Sequence, residues 1–197
     1  MTPPSESARR VAVYCGSADG NDPAFLLEAA ALGQAIAAAG MGLVYGGASI
    51  GLMGAVADAA IAAGGTVIGV IPEFLTRWEV AHDGVAELVI TDSMHSRKRH
   101  MFELADAFVS FPGGLGTLDE TFEILTWRQL KLHDKPILVT DIAGSAKPLL
   151  ATIEATIEAG FARSEIRGLY EVVHGVPATI DRLKHLATAR GGAAALM

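Results

Sequence analysis

The 197-residue sequence predicts an α/β fold built on a doubly wound, mostly parallel β-sheet. Segments typical of strands alternate with segments typical of helices along the whole chain. The strand segments are continuously apolar, as expected when helices cover both faces of a sheet. Such an order favours right-handed crossovers between parallel strands. Because the sequence shows no repeat, linker or domain boundary, we expect residues 1–197 to form a single domain with flexible ends at 1–9 and 191–197.

The first half of the chain supplies four predicted strands and two predicted helices. Asn21-Asp22-Pro23 is typical of a helix start, because proline is favoured in the first turn. Gly40 and Gly64-Gly65 are typical of the residues that follow a helix. The strands are predicted at Val11–Cys15, Gly42–Tyr45, Thr66–Ile71 and Glu87–Thr91. The helices are predicted at Ala24–Ala39 and Leu52–Ala63, and residues 72–84 are expected to be irregular.

The second half continues the alternation, with a weaker strand pattern towards the C-terminus. Its strands are predicted at Ala107–Phe111, Pro136–Thr140 and Leu169–Val173. Its helices are predicted at Arg97–Asp106, Leu118–Leu132, Pro148–Ala159 and Pro177–Ala189. Between the first of these strands and its helix, Pro112–Thr117 is predicted to be a glycine-rich turn.

Three turns from a predicted strand to a helix carry glycine or small polar residues: Gly16-Ser17, Gly46–Gly51 and Gly113–Thr117. Ligands of doubly wound sheets bind beyond the carboxyl ends of the strands. Glycine lets a ligand approach the backbone, and a helix N-terminus offers free N–H groups to an anion. None of the turns matches the Walker A or the dinucleotide-binding pattern. Together, the three turns predict a phosphate site.

The segment Phe111–Glu120 is the most informative of these turns. We expect Thr117 to cap the following helix and to bond a phosphate oxygen, and Asp119 and Glu120 to lie in the first helical turn. The helix dipole explains one acid at that position. It does not explain why two carboxylates would lie beside a phosphate, which they repel. A carboxylate is expected at this position if it faces the ribose end of the ligand.

The densest positive patch of the sequence, Met94–His100, opens another predicted helix. A charge run of this kind is usually a solvated helix face. Cations at a helix N-terminus nevertheless oppose the helix dipole, so an anionic partner would relieve a real cost. Arg97 is suited to hold a phosphate or a carboxylate through two parallel hydrogen bonds.

Composition disfavours several functions. The formal net charge of −7 disfavours general nucleic-acid binding, which normally requires a basic surface. The N-terminus lacks the apolar core of a signal peptide, and no apolar stretch reaches the roughly 18 residues that span a bilayer. The single cysteine, Cys15, suits a reducing compartment, and we interpret it as a small buried residue. We expect a cytoplasmic protein with neither a nucleic-acid nor a membrane partner. The histidines show no metal-ligand spacing, so no metal and no cofactor are predicted.

Two motifs together make the sequence resemble one family. Pro112–Glu120 matches the pattern PGGxGTxxE, and Met94–Lys98 matches MHxRK. In this order and context they are similar to the LOG ("lonely guy") family, and the resemblance spans roughly Val11–Phe161. Shorter matches extend it: Cys15-Gly16-Ser17, Val44–Gly47, Gly51–Gly54, Gly69–Pro72, Leu125–Trp127 and His133–Pro136.

The resemblance implies a modified Rossmann fold that binds nucleotides, a homodimer, and a phosphoribohydrolase of cytokinin riboside 5′-monophosphates. The products would be the free N6-substituted adenine and ribose 5-phosphate. It implies that Arg97 and Glu120 form the catalytic pair. It also implies a substrate site lined by Glu79, Lys98, Gly114, Leu115, Gly116, Thr117 and Thr126. From the glycine turns we add Gly113, Gly46, Gly47 and Ser17 to that site.

The sequence departs from the family pattern at three places. Ser96 replaces the Glu or Gln often found in MHxRK, and Ala48 replaces the third glycine of a Gly-Gly-Gly run. Gly144–Lys147 replaces a Gly-Tyr-Tyr-Asp/Asn stretch, which could alter the pocket rim or the dimer. None of these changes removes a proposed catalytic group. Many relatives carry an old lysine decarboxylase label, but no lysine here lies in a recognisable pyridoxal-phosphate context.

Cleavage of the N-glycosidic bond passes through a sugar with oxocarbenium character, which a carboxylate stabilises. We expect Glu120 to fill this role or to activate water, with Glu79 assisting through the ribose hydroxyls or the water. Arg97 would orient Glu120 or the substrate. Three other functions stay open at this point: a general purine or pyrimidine nucleoside 5′-monophosphate nucleosidase, a non-catalytic carrier of a nucleotide or of the molybdenum cofactor, and a purely structural domain.

Overall fold

The computed structural model describes residues 9–76 and 81–186, and it contains a seven-stranded parallel sheet with the strand order β4-β3-β2-β1-β5-β6-β7. The predicted α/β fold is therefore confirmed. The strands are β1 (Arg10–Tyr14), β2 (Gly42–Tyr45), β3 (Val67–Pro72), β4 (Glu87–Thr91), β5 (Ala107–Ser110), β6 (Ile137–Asp141) and β7 (Glu171–His174). Each lies within two residues of its predicted position. Glu79, residues 1–8 and the whole expected flexible end 191–197 lie outside the described residues, and so do residues 187–189 at the predicted end of the last helix.

Among the described residues, five α-helices connect strands and a sixth follows β7: α1 (Pro23–Ala38), α2 (Gly51–Ala62), α3 (Met94–Leu104), α4 (Leu115–Gln129), α5 (Lys147–Glu158) and α6 (Gly175–His185). Two short 3₁₀ turns, Glu73–Leu75 and Ser164–Leu169, were not predicted individually. The start of α1 follows the sequence prediction, because the Asp22 side chain accepts a hydrogen bond from the Ala24 amide and Pro23 occupies the first turn. Arg9, the last residue of the expected flexible N-terminal end, donates from its guanidinium to the Leu183 and Leu186 carbonyls at the end of α6.

Two helix starts were predicted three residues too late. Helix α3 begins at Met94, because Ser93 and Ser96 form a capping box: the Ser96 amide donates to the Ser93 hydroxyl, and the Ser93 amide donates to the Ser96 hydroxyl. Ser96 therefore completes the capping box at the N3 position, where Glu or Gln is usual. Helix α4 begins at Leu115 rather than Leu118, with Gly114 as its N-cap.

Helices cover both faces of the sheet and bury two apolar layers. Alternate β1 residues point to opposite faces, so Val11 and Val13 join the layer beneath α1, α2 and α6, whereas Ala12 and Tyr14 join the layer beneath α3, α4 and α5. Among the described residues, no helix combines the length and the apolarity that crossing a bilayer requires.

The strand order reverses between β1 and β5. Strand β1 pairs with β2 on one side and with β5 on the other. The chain runs outwards from β1 to β4 and then returns to β5. The helices that follow β1 and β5 pack on opposite faces of the sheet, α1 on one and α4 on the other, and this arrangement is typical of a crevice at the carboxyl edge of the sheet. Ligands of doubly wound sheets bind at such switch points.

Candidate active site

The three glycine turns predicted from the sequence meet at this crevice. The Gly16 amide donates to the Pro112 carbonyl at 3.0 Å, which joins the turn after β1 to the turn after β5. The Met53 amide in α2 donates to the Gly16 carbonyl at 3.2 Å. A Cβ on Gly51 would lie only 2.3 Å from the Ser17 carbonyl carbon, so the second turn packs directly on the first.

Gly113 is fixed by close packing, whereas its neighbours in the same turn are open. A Cβ on Gly113 would lie 2.1 Å from the Thr117 hydroxyl and 2.8 Å from the Gly16 nitrogen. At Gly114 and Gly116 a Cβ would meet no heavy atom within 4 Å. Gly113, Gly114, Leu115 and Gly116 are exposed and Thr117 is buried. The turn therefore presents its backbone to the crevice.

Two helix N-termini at the crevice lack a side-chain cap among the described residues. The N-cap of α2 is Ile50 and that of α4 is Gly114, and no side-chain cap hydrogen bond is made there. The expectation that Thr117 caps α4 was wrong, because the helix starts earlier and places Thr117 inside its first turn. Uncapped amides at a helix N-terminus attract an anion.

Arg97 and Glu120 form a buried pair beside the turns. Each side chain is about 95% buried, and Arg97 Nη1 lies 3.7 Å from Glu120 Oε1. Arg97 also donates from Nε to the Val70 carbonyl at 3.1 Å and from Nη2 to the Gly46 carbonyl at 3.2 Å. Taking a charge out of water is costly unless it is paired and hydrogen-bonded. At Arg97, therefore, the positive segment Met94–His100 is buried and paired, not a solvated helix face.

Lys98 points from α3 to two carboxylates of α4. Its Nζ lies 3.0 Å from Asp119 Oδ2 and 3.1 Å from Glu123 Oε1, and only 9% of the side chain is exposed. Burial alone lowers the pKa of Lys98, but the hydrogen bonds to Asp119 and Glu123 outweigh it, so the pKa is raised. This ion-pair clamp of Lys98, Asp119 and Glu123 joins α3 to α4.

The acids of α4 lie one turn later than expected. Since α4 begins at Leu115, Asp119 and Glu120 fall in its second turn, and the first turn contains no acidic residue. Their partners are the cations of α3 rather than the helix dipole. Sequence analysis missed Glu123, although its position four residues after Asp119 places both on one helix face. Three carboxylates oppose two cations here, which suits the stabilisation of a cationic sugar.

Thr126 lies apart from Glu120 within the chain. It is six residues further along α4, which rotates it by about 240° around the helix axis. Its hydroxyl donates to the Phe122 carbonyl at 2.7 Å. It lines an apolar cavity of about 260 Å³ between α4, α5 and Ser164–Leu169. The chain therefore brings Gly46, Gly113–Thr117 and the Arg97–Glu120 pair together, but not Thr126.

Cys15 ends β1 as a buried thiol, as the sequence analysis expected. Burial raises its pKa well above the ordinary value, and the negative charge of Glu120 raises it further. The thiol is protonated at neutral pH and is not a nucleophile. Within the described parts of the chain, no three His, Cys, Asp or Glu side chains are placed to hold a metal ion.

Comparison with known proteins connects the chain to a family. A family model described as "possible lysine decarboxylase" matches residues 53–183. The chain is 42% identical over 177 residues to a cytokinin riboside 5′-monophosphate phosphoribohydrolase of Rhodococcoides fascians, covering 89% of both chains. It is 43% identical over 159 residues to the cytokinin riboside 5′-monophosphate phosphoribohydrolase LOG of Oryza sativa subsp. japonica, covering 81% of this chain and 66% of the relative.

Solved structures share the fold at lower identity. A molybdenum cofactor binding protein from Rippkaea orientalis superposes with a TM-score of 0.70 at 23% identity, over 91% of this chain and 98% of that one. The Moco carrier protein of Chlamydomonas reinhardtii gives a TM-score of 0.68 at 24% identity, over 90% and 96% of the two chains. At this identity the likeness shows the fold alone.

Proposed function

Since the chain belongs to the LOG family of cytokinin riboside 5′-monophosphate phosphoribohydrolases, we propose that it hydrolyses the N-glycosidic bond of these nucleotides. The products are the free N6-substituted adenine and ribose 5-phosphate. The observation that carries the proposal is the buried Arg97–Glu120 pair, which lies where three glycine turns converge. A carboxylate and an anion site at one crevice match a substrate with a reactive ribose and a 5′-phosphate.

The 5′-phosphate is proposed to bind at Gly113–Thr117, where the start of α4 lacks a side-chain cap among the described residues. The exposed backbone of this turn and the positive end of the helix dipole favour a phosphate group. Ser17 and the Gly46-Gly47 turn complete the wall of the crevice. The ribose then extends towards Glu120, which lies one helical turn after Thr117.

Glu120 is proposed to act on the anomeric carbon. The bond between C1′ and the base nitrogen breaks, and its electron pair leaves with the base, which takes up a proton. Water adds its oxygen to C1′ and loses a proton. Glu120 stabilises the positive charge that develops on the sugar, or receives the proton of the water. Glu79, which lies outside the described residues, is proposed to assist through the ribose hydroxyls or the water.

Arg97 is proposed to orient Glu120 rather than to bind the phosphate alone. Two backbone carbonyls hold its guanidinium, which leaves Nη1 directed at the carboxylate. The guanidinium would thereby hold the carboxylate in one orientation. Lys98 is proposed to line the same site, and its two ion pairs give it a part in holding α3 against α4.

We also propose that the enzyme is a homodimer. Because Thr126 faces away from Glu120 of its own chain, a substrate contact of Thr126 requires the site of a second copy. The apolar cavity beside Thr126 has a highly exposed Phe161 at its wall, which supports an interface on this side. Sedimentation equilibrium should give twice the chain mass of 20.5 kDa; a monomer mass at micromolar concentration would contradict this part of the proposal.

The cytoplasm is the proposed location, supported by a lone cysteine that is buried and protonated.

Release of ribose 5-phosphate tests the activity. Isopentenyladenosine monophosphate and AMP should be supplied separately at equal concentration. Faster release from the prenylated nucleotide is the expected result. Release mainly from AMP would make the protein a general nucleosidase. Tight binding of nucleotide without release from either substrate would contradict the proposal and favour a carrier.

A further inference from the structure

His82 is a buried histidine that has no role in the reaction proposed above. Only 8% of its surface is exposed, and both ring nitrogens make hydrogen bonds. The Gly84 amide donates to Nδ1 at 3.0 Å, so the proton of the neutral ring is carried by Nε2. Nε2 donates to Asp58 Oδ1 of α2 at 2.9 Å. The ring therefore ties its own segment to α2. We refer to Asp58, His82 and Gly84 as the histidine clasp.

The backbone around the clasp is joined to the second glycine turn. The His82 amide donates to the Gly47 carbonyl at 3.0 Å, and Ala48 and Ala81 form an antiparallel bridge. Gly47 has a φ of 77°, which only glycine adopts readily. Because glycine populates other conformations just as readily, contacts with the surroundings are needed to keep the turn in this one. The clasp supplies such a support, because Asp58 lies on the helix that begins directly after the turn.

The same turn determines where Arg97 lies. The Gly46 carbonyl accepts a hydrogen bond from Arg97 Nη2, and a Cβ on Gly46 would lie 2.1 Å from that nitrogen. The Gly46 backbone and the guanidinium are therefore in close contact, with no room for a side chain between them. A shift of the turn must therefore move the guanidinium, which lies 3.7 Å from Glu120.

We infer that His82 is a positioning residue: together with Asp58 it fixes the Gly46-Gly47 turn and, through the Gly46 carbonyl, holds Arg97 against Glu120. This inference rests on the proposed function, because its consequence is a change in the rate of glycosidic cleavage. The clasp acts through the direction of its hydrogen bonds. It requires an oxygen at position 58 that accepts the hydrogen bond from His82 Nε2, and an amide oxygen can do this as well as a carboxylate.

Steady-state kinetics of ribose 5-phosphate release test the inference in His82→Ala, Asp58→Ala and Asp58→Asn. In metal sites, loss of a hydrogen bond that orients a ligand typically costs about 10- to 100-fold, and we take the lower end for a contact that acts through one turn. We expect kcat to fall by about tenfold in both alanine variants, with KM changed by less than about twofold, since the interaction lost acts on the transition state. Asp58→Asn should keep the kcat of the wild type, because its amide oxygen accepts the same hydrogen bond. His185→Ala, which removes an exposed His–Asp pair on α6, is the matched control.

Hydrogen exchange of the peptide that contains residues 45–49 is the second measurement. It should be faster in His82→Ala and Asp58→Ala than in the wild type and the control. A wild-type kcat in His82→Ala, or unchanged exchange in this peptide, would overturn the inference. If the wild-type protein releases no ribose 5-phosphate at all, the proposed function fails, and the catalytic part of this inference fails with it. The exchange measurement then still decides whether the clasp holds the turn.

Discussion

At the scale of single residues, the site depends on contacts that leave no room for change. Gly113 and Gly46 are examples, because a methyl group at either would overlap a functional side chain, Thr117 or Arg97. The sequence motif identified Gly113 as important but could not give the reason. The reason is the approach of the turn after β1, and residues about a hundred positions apart meet there. Sequence spacing carries no information on that distance.

Gly113→Ala should destabilise the protein, whereas Gly116→Ala should not. The added methyl at Gly113 meets the Thr117 hydroxyl and the Gly16 nitrogen, so the turn must shift, at a cost of about 1–3 kcal/mol. Gly116 is the second residue of α4 and has open space beside it, so alanine there should be neutral or favoured by at most about 0.5–1 kcal/mol. Thermal unfolding of the ligand-free variants measures both effects. Equal melting temperatures for the two variants would contradict the packing described here.

At the scale of the elements, the sequence located each strand and α-helix that the structure describes but misplaced the starts of α3 and α4. Capping explains the error at α3, because a serine at the position where Glu or Gln usually completes a capping box was not recognised as a cap. At α4 the N-cap residue is Gly114, which has no side chain to cap the helix, so the local sequence does not mark this start. These starts decide which side chains face one another. As a result, the Lys98 clamp between α3 and α4 was not predicted.

Lys98→Met should lower the free energy of unfolding more than Arg99→Met. The Lys98 ion pairs are largely buried on the lysine side, and its loss leaves Asp119 and Glu123 close together without a cation. Buried pairs cost about 3–5 kcal/mol when broken and surface pairs about 0–1 kcal/mol, so about 1–3 kcal/mol is expected for this partly exposed clamp. Arg99 pairs with Glu103 on the exposed face of the same helix and serves as control. Urea unfolding of both variants provides the comparison, and similar losses would show that the clamp adds nothing.

At the scale of the whole molecule, the doubly wound sheet was predictable because apolar strands and helices alternate throughout the chain. The switch point between β1 and β5 then places the turns together. Which buried groups lie close together could not be predicted from the sequence. Tyr14 and Cys15, for example, lie within the electrostatic reach of Glu120, from an element over a hundred residues earlier. Such proximity follows from topology rather than from local pattern.

The protein should lose stability as pH rises above about 8.5. Burial raises the pKa of Cys15, Tyr14 and Tyr45, so the native state keeps protons that the unfolded chain releases. The unfolded state therefore binds fewer protons, and the free energy of unfolding falls with increasing pH. The ordinary pKa is about 8.5 for cysteine and about 10 for tyrosine. Between these values Cys15 alone should cost about 2 kcal/mol.

Urea unfolding at pH 7, 8.5 and 10 measures this loss, and Cys15→Ala is the control. The variant should keep a nearly constant free energy of unfolding up to about pH 10, where the tyrosines begin to titrate. A wild-type profile that is flat over the same range, or one that the variant reproduces, would show that the thiol is not held protonated by burial.

The most direct test of the central claim compares Glu120→Gln with Asp119→Asn and wild type in one assay of ribose 5-phosphate release from isopentenyladenosine monophosphate. The two carboxylates are adjacent on α4, but only Glu120 is buried against Arg97. Glu120→Gln should bind the nucleotide and lose most turnover, by about 100-fold or more, while Asp119→Asn should stay within about threefold of wild type. Full activity in Glu120→Gln, or an equal loss in both variants, would contradict the assignment of Glu120 as the group that acts on the glycosidic bond.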